Sequence, residues 1–103
     1  MTPVDIFPPA APAGLVTTVD AGGIRLIWEA NSEDDLAGYV VLRAEAGGAT
    51  LTPISGETAI SETRFTDDTV MPGLRYVYEV IAVDSRVPLP NRSAPARIEE
   101  TAR

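Results

Sequence analysis

The sequence of 103 residues contains no cysteine, no histidine, no lysine and no glutamine. Without cysteine and histidine, the usual structural zinc sites and the Cys- or His-based nucleophile arrangements are excluded. Without lysine there is neither a Schiff-base lysine nor a phosphate-binding loop lysine. The groups that remain for chemistry are carboxylates, hydroxyls, tyrosine and arginine. We therefore expect a protein that is not an enzyme and has no catalytic, cofactor-binding or metal-binding residues.

Positive charge is also scarce. Eight arginines stand against 15 aspartate and glutamate residues, which gives a formal net charge of −7. Phosphate backbones and anionic membrane surfaces repel such a chain, so we expect no nucleic-acid partner. No apolar run is long enough to cross a bilayer, and we expect no membrane insertion. The length and the 45% share of hydrophobic residues are typical of a single globular domain.

Proline is concentrated at the start of the chain. Four prolines fall within the predicted linker: Pro3, Pro8, Pro9 and Pro12. Because proline fixes φ and removes a backbone donor, these residues favour extended structure. We predict a semi-rigid linker over residues 1–12 and one domain over residues 13–103; a proline-capped edge strand is the alternative for the linker residues. There is no signal-peptide pattern, and the linker suggests that the chain belongs to a longer polypeptide.

From Leu15 onward, apolar and polar residues alternate with period two, and turn residues interrupt the pattern. The pattern covers residues 15–19, 24–29, 39–43, a weaker segment around Leu51, 64–67, 76–83 and 96–99. No stretch sustains the helical period. The sequence therefore predicts an all-β fold, a seven-stranded antiparallel sandwich of two sheets.

The sequence around the fifth and sixth predicted strands has a specific spacing. It consists of Phe65, Thr66, Asp67, Gly73, Tyr76, Tyr78, Val80, Ala82 and Asp84, preceded by Trp28 and the stretch 35–41. Together these residues resemble the fibronectin type III family, in the form common in bacterial extracellular proteins. The resemblance covers nearly the whole chain and implies an immunoglobulin-like sandwich with Greek-key connections and a tyrosine corner at Tyr76. One departure is Leu74, where the family has a small hydroxyl residue.

Two pairs of adjacent carboxylates raise the question of a metal site. Neighbouring residues on a strand point to opposite faces, so Asp67 and Asp68 form a poor chelate. Asp34 and Asp35 lie in a polar loop, where capping of a solvated turn is the simpler interpretation. A sandwich of this size also has little room for a catalytic cleft.

Carbohydrate binding would normally use exposed aromatic side chains. The alternation places every aromatic residue except Phe7 in the core or at its edge. Phe7 lies in the predicted linker, where we expect it to pack against the domain. The surface that sugar binding would need is therefore already used.

The outward positions of the third and sixth predicted strands are unusually apolar. High β-propensity on an exposed sheet is one explanation. The other is a patch that packs on the linker, another domain or another chain, to which the following loop adds two apolar residues. The predicted interface residues are Val40, Leu42, Val77, Ile81, Val83, Val87 and Leu89.

The sequence thus favours a non-catalytic module of a larger bacterial secreted or cell-envelope protein. Such a module would act as a spacer or a protein–protein interaction unit. Its partners would be neighbouring domains or another protein, with weak self-association through the outer sheet face as a further expectation. The alternative is an accessory carbohydrate-binding module of a polysaccharide-degrading enzyme.

Overall fold

The computed structural model describes residues 9–33, 35–48, 50–56, 58–85 and 90–103. Within these ranges the chain forms seven strands and no helix. They are β1 (Val16–Asp20), β2 (Gly23–Ile27), β3 (Leu36–Glu45), β4 (Thr52–Pro53), β5 (Arg64–Asp67), β6 (Arg75–Asp84) and β7 (Ala96–Thr101). One sheet has the order β1-β2-β5 and the other the order β4-β3-β6-β7. The predicted seven-stranded, two-sheet antiparallel sandwich is confirmed.

The core lies between the two sheets and is built from the alternate residues that face inward. Its buried members are Ile24, Leu26, Trp28, Tyr39, Val41, Tyr76, Tyr78, Val80, Ala82 and Ala102. Trp28 lies one residue beyond β2, where its backbone N–H donates to the Thr63 carbonyl at 3.0 Å. Its ring meets the Tyr39 ring edge-on, with centroids 5.4 Å apart. This geometry adds a favourable aromatic contact to the burial of apolar area.

The longest ladder joins β3 to β6. It begins at Leu36, earlier than the sequence pattern predicts, because a bulge between Leu36 and Gly38 lets pairing continue to Asp84 at the end of β6. At the sheet edge, β4 has two residues and contains Pro53. Proline is tolerated on an edge strand because its missing donor faces no partner strand.

The turn between β1 and β2 depends on a glycine. Gly23 has φ +132°, and a Cβ at this position would collide with the carbonyl oxygen of Asp67 on β5. A residue with a side chain would therefore be strained and would also push β5 away from β2. Glycine is what allows the three-stranded sheet to close at this end.

The predicted tyrosine corner is present at the start of β6. The Tyr76 hydroxyl accepts a hydrogen bond from the Met71 N–H at 2.8 Å. This bond fixes the turn that carries the chain from one sheet to the other. The prediction of a hydroxyl that bonds back to the preceding turn is confirmed.

The described part of the proline-rich segment is attached to the domain. Pro9 and Pro12 are buried. The Ala10 N–H donates to Glu33 Oε2 at 2.9 Å, and Asn31 Nδ2 donates to the Ala10 carbonyl at 2.7 Å. The boundary between residues 12 and 13 stays a prediction, and residues 1–8 lie outside the described ranges.

The first and last described segments lie at opposite ends of the sandwich. Ala10 contacts Glu33, whose carbonyl accepts from the Leu36 N–H at the start of β3, the end where β6 finishes. Ala102 instead bonds in both directions with the turn at Gly73 and Leu74, where β6 begins. The two segments are thus separated by the length of a ten-residue strand, or roughly 30 Å.

Candidate interaction surface

The register of the four-stranded sheet brings the described interface candidates onto one face. Val40 lies opposite Ile81, and Ala44 lies opposite Val77 on the same side of the sheet. Residues directly opposite in a ladder share a face, so these side chains form one continuous outer face. Val40, Leu42 and Ile81 are partly exposed there. We call the surface formed by Val40, Leu42, Val77, Ile81 and Val83 the outer apolar face.

Two members of the outer apolar face are nearly inaccessible. Val77 is 6% exposed and Val83 is 8% exposed. Val77 lies between Ala44 on β3 and Glu99 on β7 in the central part of the sheet. The backbone of Val83 pairs with that of Arg92 in an isolated antiparallel β-bridge. The face is therefore apolar as predicted, but Val40, Leu42 and Ile81 offer the contact area.

Ion pairs border the outer apolar face on its β7 side. Arg97 Nη1 lies 3.4 Å from Glu79 Oε2, and Arg75 Nε lies 3.0 Å from Glu99 Oε1. Such exposed pairs add little stability. Their effect is to surround the apolar centre with a polar rim, which is the usual arrangement of a protein–protein contact surface.

A shallow hollow lies at one end of this face. It has a volume of about 370 Å³ and is lined by Val40, Pro53, Gly56 and Arg92. Among the described residues, the Arg92 guanidinium has no ion-pair partner. Arg92 is not among the predicted interface residues, although it follows the apolar loop directly in the sequence. Val87 and Leu89, the two predicted loop residues, lie outside the described ranges, and the interface itself stays a prediction.

A buried polar cluster joins the two sheets away from this face. Asp67 Oδ2 accepts from Arg43 Nη1 at 2.8 Å and from the Tyr78 hydroxyl at 2.7 Å. Asp67 Oδ1 accepts from the Thr69 N–H at 3.1 Å and from the Thr69 hydroxyl at 2.7 Å. The Arg43 guanidinium also lies 5.0 Å from the Tyr76 ring centroid, a cation–π distance. The Asp67 carboxylate therefore accepts four hydrogen bonds, and its role is structural.

The ionisation of this cluster follows from its contacts. Burial alone would raise the pKa of Asp67, but hydrogen bonds from Thr69, Tyr78 and Arg43 outweigh it and hold that pKa below the ordinary value. Burial and the adjacent Asp67 carboxylate raise the pKa of Tyr78. Burial would lower the pKa of Arg43, but Asp67 raises it overall. The cluster thus holds one carboxylate and one guanidinium as a charged pair at neutral pH.

Solved structures of other proteins share this sandwich. An Fn3-like protein from Clostridium thermocellum is 32% identical to this chain, and the match covers 88% of this chain and 92% of that one with a TM-score of 0.67. The chain belongs to the fibronectin type III family. A myokine structure, 18% identical with a TM-score of 0.66 over 92% of this chain and 99% of that one, shares the fold. The resemblance read from the sequence is confirmed, although the chain matches no model of a known protein family.

Two curated relatives of this fibronectin type III domain are much longer proteins. The amylopullulanase of Thermoanaerobacterium thermosulfurigenes is 34% identical over 80 residues, and that of Thermoanaerobacterium saccharolyticum is 32% identical over 80 residues. Each match covers 78% of this chain but 4% and 6%, respectively, of the amylopullulanases. The domain thus corresponds to a small segment of each relative.

The described aromatic side chains of the fibronectin type III domain pack in its interior. Trp28, Tyr39, Tyr76 and Tyr78 are all buried, and Phe65 is partly buried against them. Phe7 lies outside the described ranges. The described surface therefore presents no aromatic platform on which a sugar ring could stack.

No three histidine, cysteine, aspartate or glutamate side chains of the described residues are grouped so as to hold a metal ion. Asp68 is exposed beside the buried Asp67, and Asp34 lies outside the described ranges. Nor do the described residues form any helix with the length and apolarity needed to cross a membrane.

Proposed function

We propose that this fibronectin type III domain is a non-catalytic module of a larger bacterial secreted or cell-envelope protein, in which it separates neighbouring domains and contacts protein. The observation that carries the proposal is the position of the first and last described segments. The segment at Ala10 and the segment at Ala102 are attached at opposite ends of the sandwich. Neighbours joined to these segments are held apart by the length of the sheets.

The attachment at the first segment makes the spacing stiff. Asn31 and Glu33 both bond to Ala10, and Pro9 and Pro12 are buried beside this contact. Proline restricts the backbone further, so the approach to the domain has few accessible conformations. A spacer of this kind sets direction as well as distance.

The similarity to segments of two bacterial amylopullulanases supports a place in a multidomain extracellular protein. A match limited to a small part of each relative is what an accessory module would give. The contacts of Asp67 support the non-catalytic role separately, because its carboxylate is bound to Arg43 and Tyr78 inside the fold. Protein contacts would use the outer apolar face, with its polar rim of ion pairs.

An accessory carbohydrate-binding role is the second candidate. The names of the amylopullulanases favour it, because those proteins are polysaccharide-degrading enzymes. The burial of Trp28 and the three tyrosines weighs against it, since stacking on sugar needs exposed rings. We therefore place it behind the spacer role.

The main test identifies the native polypeptide. An antibody raised against the domain is used to blot the cytosol, envelope and culture medium of the source cells. A band much larger than 10.9 kDa in the envelope or medium is the expected result. A band at 10.9 kDa in the cytosol would overturn the module proposal.

Native electrophoresis in gels that contain soluble starch or pullulan separates the two candidates. The chain carries a net charge of −7 and so migrates readily. We expect the same mobility with and without polysaccharide. Retardation that depends on polysaccharide concentration would favour the carbohydrate-binding alternative and contradict the spacer-only role.

Sedimentation velocity at several protein concentrations tests self-association through the outer apolar face. We expect the wild type to associate weakly and reversibly, and Ile81→Glu to remain monomeric because a charge then lies in the contact. Ile27→Glu is the matched control, since Ile27 lies on the outer side of the opposite sheet. Association that Ile27→Glu abolishes and Ile81→Glu preserves would assign the contact to the wrong face.

A further inference from the structure

The most exposed aliphatic side chains on the strands lie on the other sheet. Val16 is 53% exposed and Ile27 is 46% exposed. They are directly opposite each other in the β1–β2 ladder, and Arg64 lies opposite Ile27 on β5. The next row of the same surface contains Arg25, opposite Thr66. We call the surface formed by Val16, Arg25, Ile27, Arg64 and Thr66 the arginine–aliphatic face.

The two arginines of this face are available to a partner. Among the described residues Arg64 has no ion pair. Arg25 lies 3.6 Å from Asp20, and more than half of the Arg25 side chain and half of the Asp20 side chain are exposed. Such a long, exposed pair is weak and easily exchanged. In a chain with a net charge of −7, this face therefore presents two guanidiniums, with the carboxylates of Asp20 and Glu62 at its edges.

Two hollows flank the contact between Ile27 and Arg64. One, of about 370 Å³, is lined by Arg25, Leu26, Ile27, Arg64 and Thr66. The other, of about 410 Å³, is lined by Ile27, Ser61, Glu62, Thr63 and Arg64. Both are open to solvent and each combines an aliphatic wall with a guanidinium, but the second also contains the Glu62 carboxylate. The first hollow, which has two guanidiniums and no carboxylate, therefore suits an aliphatic side chain that lies beside a carboxylate.

The size of the face limits what can occupy it. Three strands spaced about 4.8 Å apart are roughly 10 Å across, and two side-chain rows along a strand are about 7 Å apart. A stable protein dimer buries about 800 Å² on each partner, which is roughly ten times this area. The face therefore suits a single extended segment or loop, and it is too small to hold a second copy of the domain on its own.

We propose that the arginine–aliphatic face binds a segment of a partner protein that presents a carboxylate next to an aliphatic side chain. The carboxylate pairs with Arg64 and Arg25, and the aliphatic group covers Ile27 and Val16. Charge complementarity selects an acidic segment, and the exposed aliphatic pair selects against a purely polar one. The contact is independent of the outer apolar face, which lies on the opposite sheet.

Peptide titrations followed by NMR test the proposal on the full chain. One probe is a capped peptide of sequence Ile-Glu-Val-Asp-Ile, and its neutral match is Ile-Gln-Val-Asn-Ile. We expect the acidic peptide to shift the backbone amide signals of Ile27, Arg64 and Thr66, and to bind more weakly as salt is raised. The neutral peptide should leave these signals unchanged.

Two arginine variants locate the binding. Arg64→Gln should weaken the binding of the acidic peptide about fivefold, which is the effect expected for the loss of one exposed ion pair. Arg92→Gln is the matched control, because Arg92 is also exposed and has no ion pair among the described residues. It should leave the affinity for the acidic peptide unchanged, since Arg92 lies beside β6 on the opposite sheet. The fluorescence of Trp28, which is buried next to Ile27 in sequence, reports whether each variant keeps the native core.

Each other result would overturn the proposal. Equal shifts with the acidic and neutral peptides would show that charge is irrelevant, and shifts centred on Val40 would move the site to the outer apolar face. If the Ile27 signal shifted with protein concentration in the absence of peptide, the occupant of the face would be a second copy of the domain. The absence of any shift with the acidic peptide at low salt would remove the site. None of these outcomes bears on the native mass or location of the polypeptide, so the spacer proposal stands or falls separately.

Discussion

The buried Asp67 carboxylate provides the sharpest test of how this sandwich is held together. Asp67→Asn keeps the size of the side chain but removes its charge and one of its two acceptor oxygens. The wild-type carboxylate accepts four hydrogen bonds, from Arg43, Tyr78 and twice from Thr69. An amide can accept with one oxygen only, and its NH₂ group then faces donors. Arg43 also loses its counterion.

The expected cost follows from the burial of the pair. Asp67 is 3% exposed and the Arg43 side chain is 25% exposed. Removing one partner of a buried ion pair costs about 3–5 kcal/mol. Water can reach Arg43 and the exposed Thr69, which places the expected loss of unfolding free energy at about 3 kcal/mol. For a domain of this size that loss is a large part of the total stability, which is about 5–15 kcal/mol.

Urea unfolding at neutral pH, followed by the fluorescence of the single Trp28, measures this loss. The urea midpoint should fall while the slope of free energy against urea stays constant, since the folded surface is unchanged. Glu99→Gln is the matched control, because it makes the same carboxylate-to-amide change in an exposed pair with Arg75. The control should change the unfolding free energy by under about 0.5 kcal/mol. If Asp67→Asn lost no more than the control, the central role assigned to this cluster would be wrong.

Acid provides an independent check on the same residue. The pKa of Asp67 in the folded state is lowered below its ordinary value of 3.8. The stability contributed by its ionised form is therefore fully present above that ordinary value and is lost as pH falls through the folded pKa. The difference between wild type and Asp67→Asn should shrink as pH falls below 3.8. A difference that stayed constant into strong acid would show that the ionised carboxylate was not its source.

Three further changes test other parts of the fold. Gly23→Ala should cost at least about 2 kcal/mol by urea unfolding, because it adds a backbone collision to a strained φ, whereas Gly47→Ala, with open space around it, should cost about 1 kcal/mol. Tyr76→Phe removes the acceptor of the Met71 N–H and should cost about 1 kcal/mol. The raised pKa of Tyr78 contributes stability that is fully present below pH 10 and is lost as pH rises above it. Above pH 10 the unfolding free energy should therefore fall less steeply with pH in Tyr78→Phe than in the wild type. Equal slopes would contradict this.

Much of the fold was predictable because it depends on local alternation. Ile24, Leu26 and Trp28 repeat with period two, and a half-buried strand is the one structure that gives them a common side. The Met71 to Tyr76 segment likewise has its turn and its tyrosine within a few residues. Features of this kind need no knowledge of which distant segment packs against them.

The candidate surfaces were less predictable, because exposure depends on neighbours that the sequence does not place. Val77 alternates outward as predicted, yet it lies between β3 and β7 and is only 6% exposed. The pair of Arg43 with Asp67 spans 24 residues and two sheets, so no local pattern indicates it. Ile27 is different: its outward position follows from the same alternation that placed Leu26 inward, and the sequence did contain that signal.

The attachment of the two ends at opposite poles has a mechanical consequence. A tensile load applied through Ala10 and Ala102 acts along the strands, whereas the hydrogen bonds of each antiparallel ladder run across them. The five registered pairs that join β1 to β2 are therefore loaded in shear and must fail together. The Thr17 hydroxyl, bonded at 2.7 Å to Glu100 Oε1 on β7, links this strand to the other sheet and shares the force. Under tension the domain should hold its length up to a threshold and then extend abruptly, as a rigid link does.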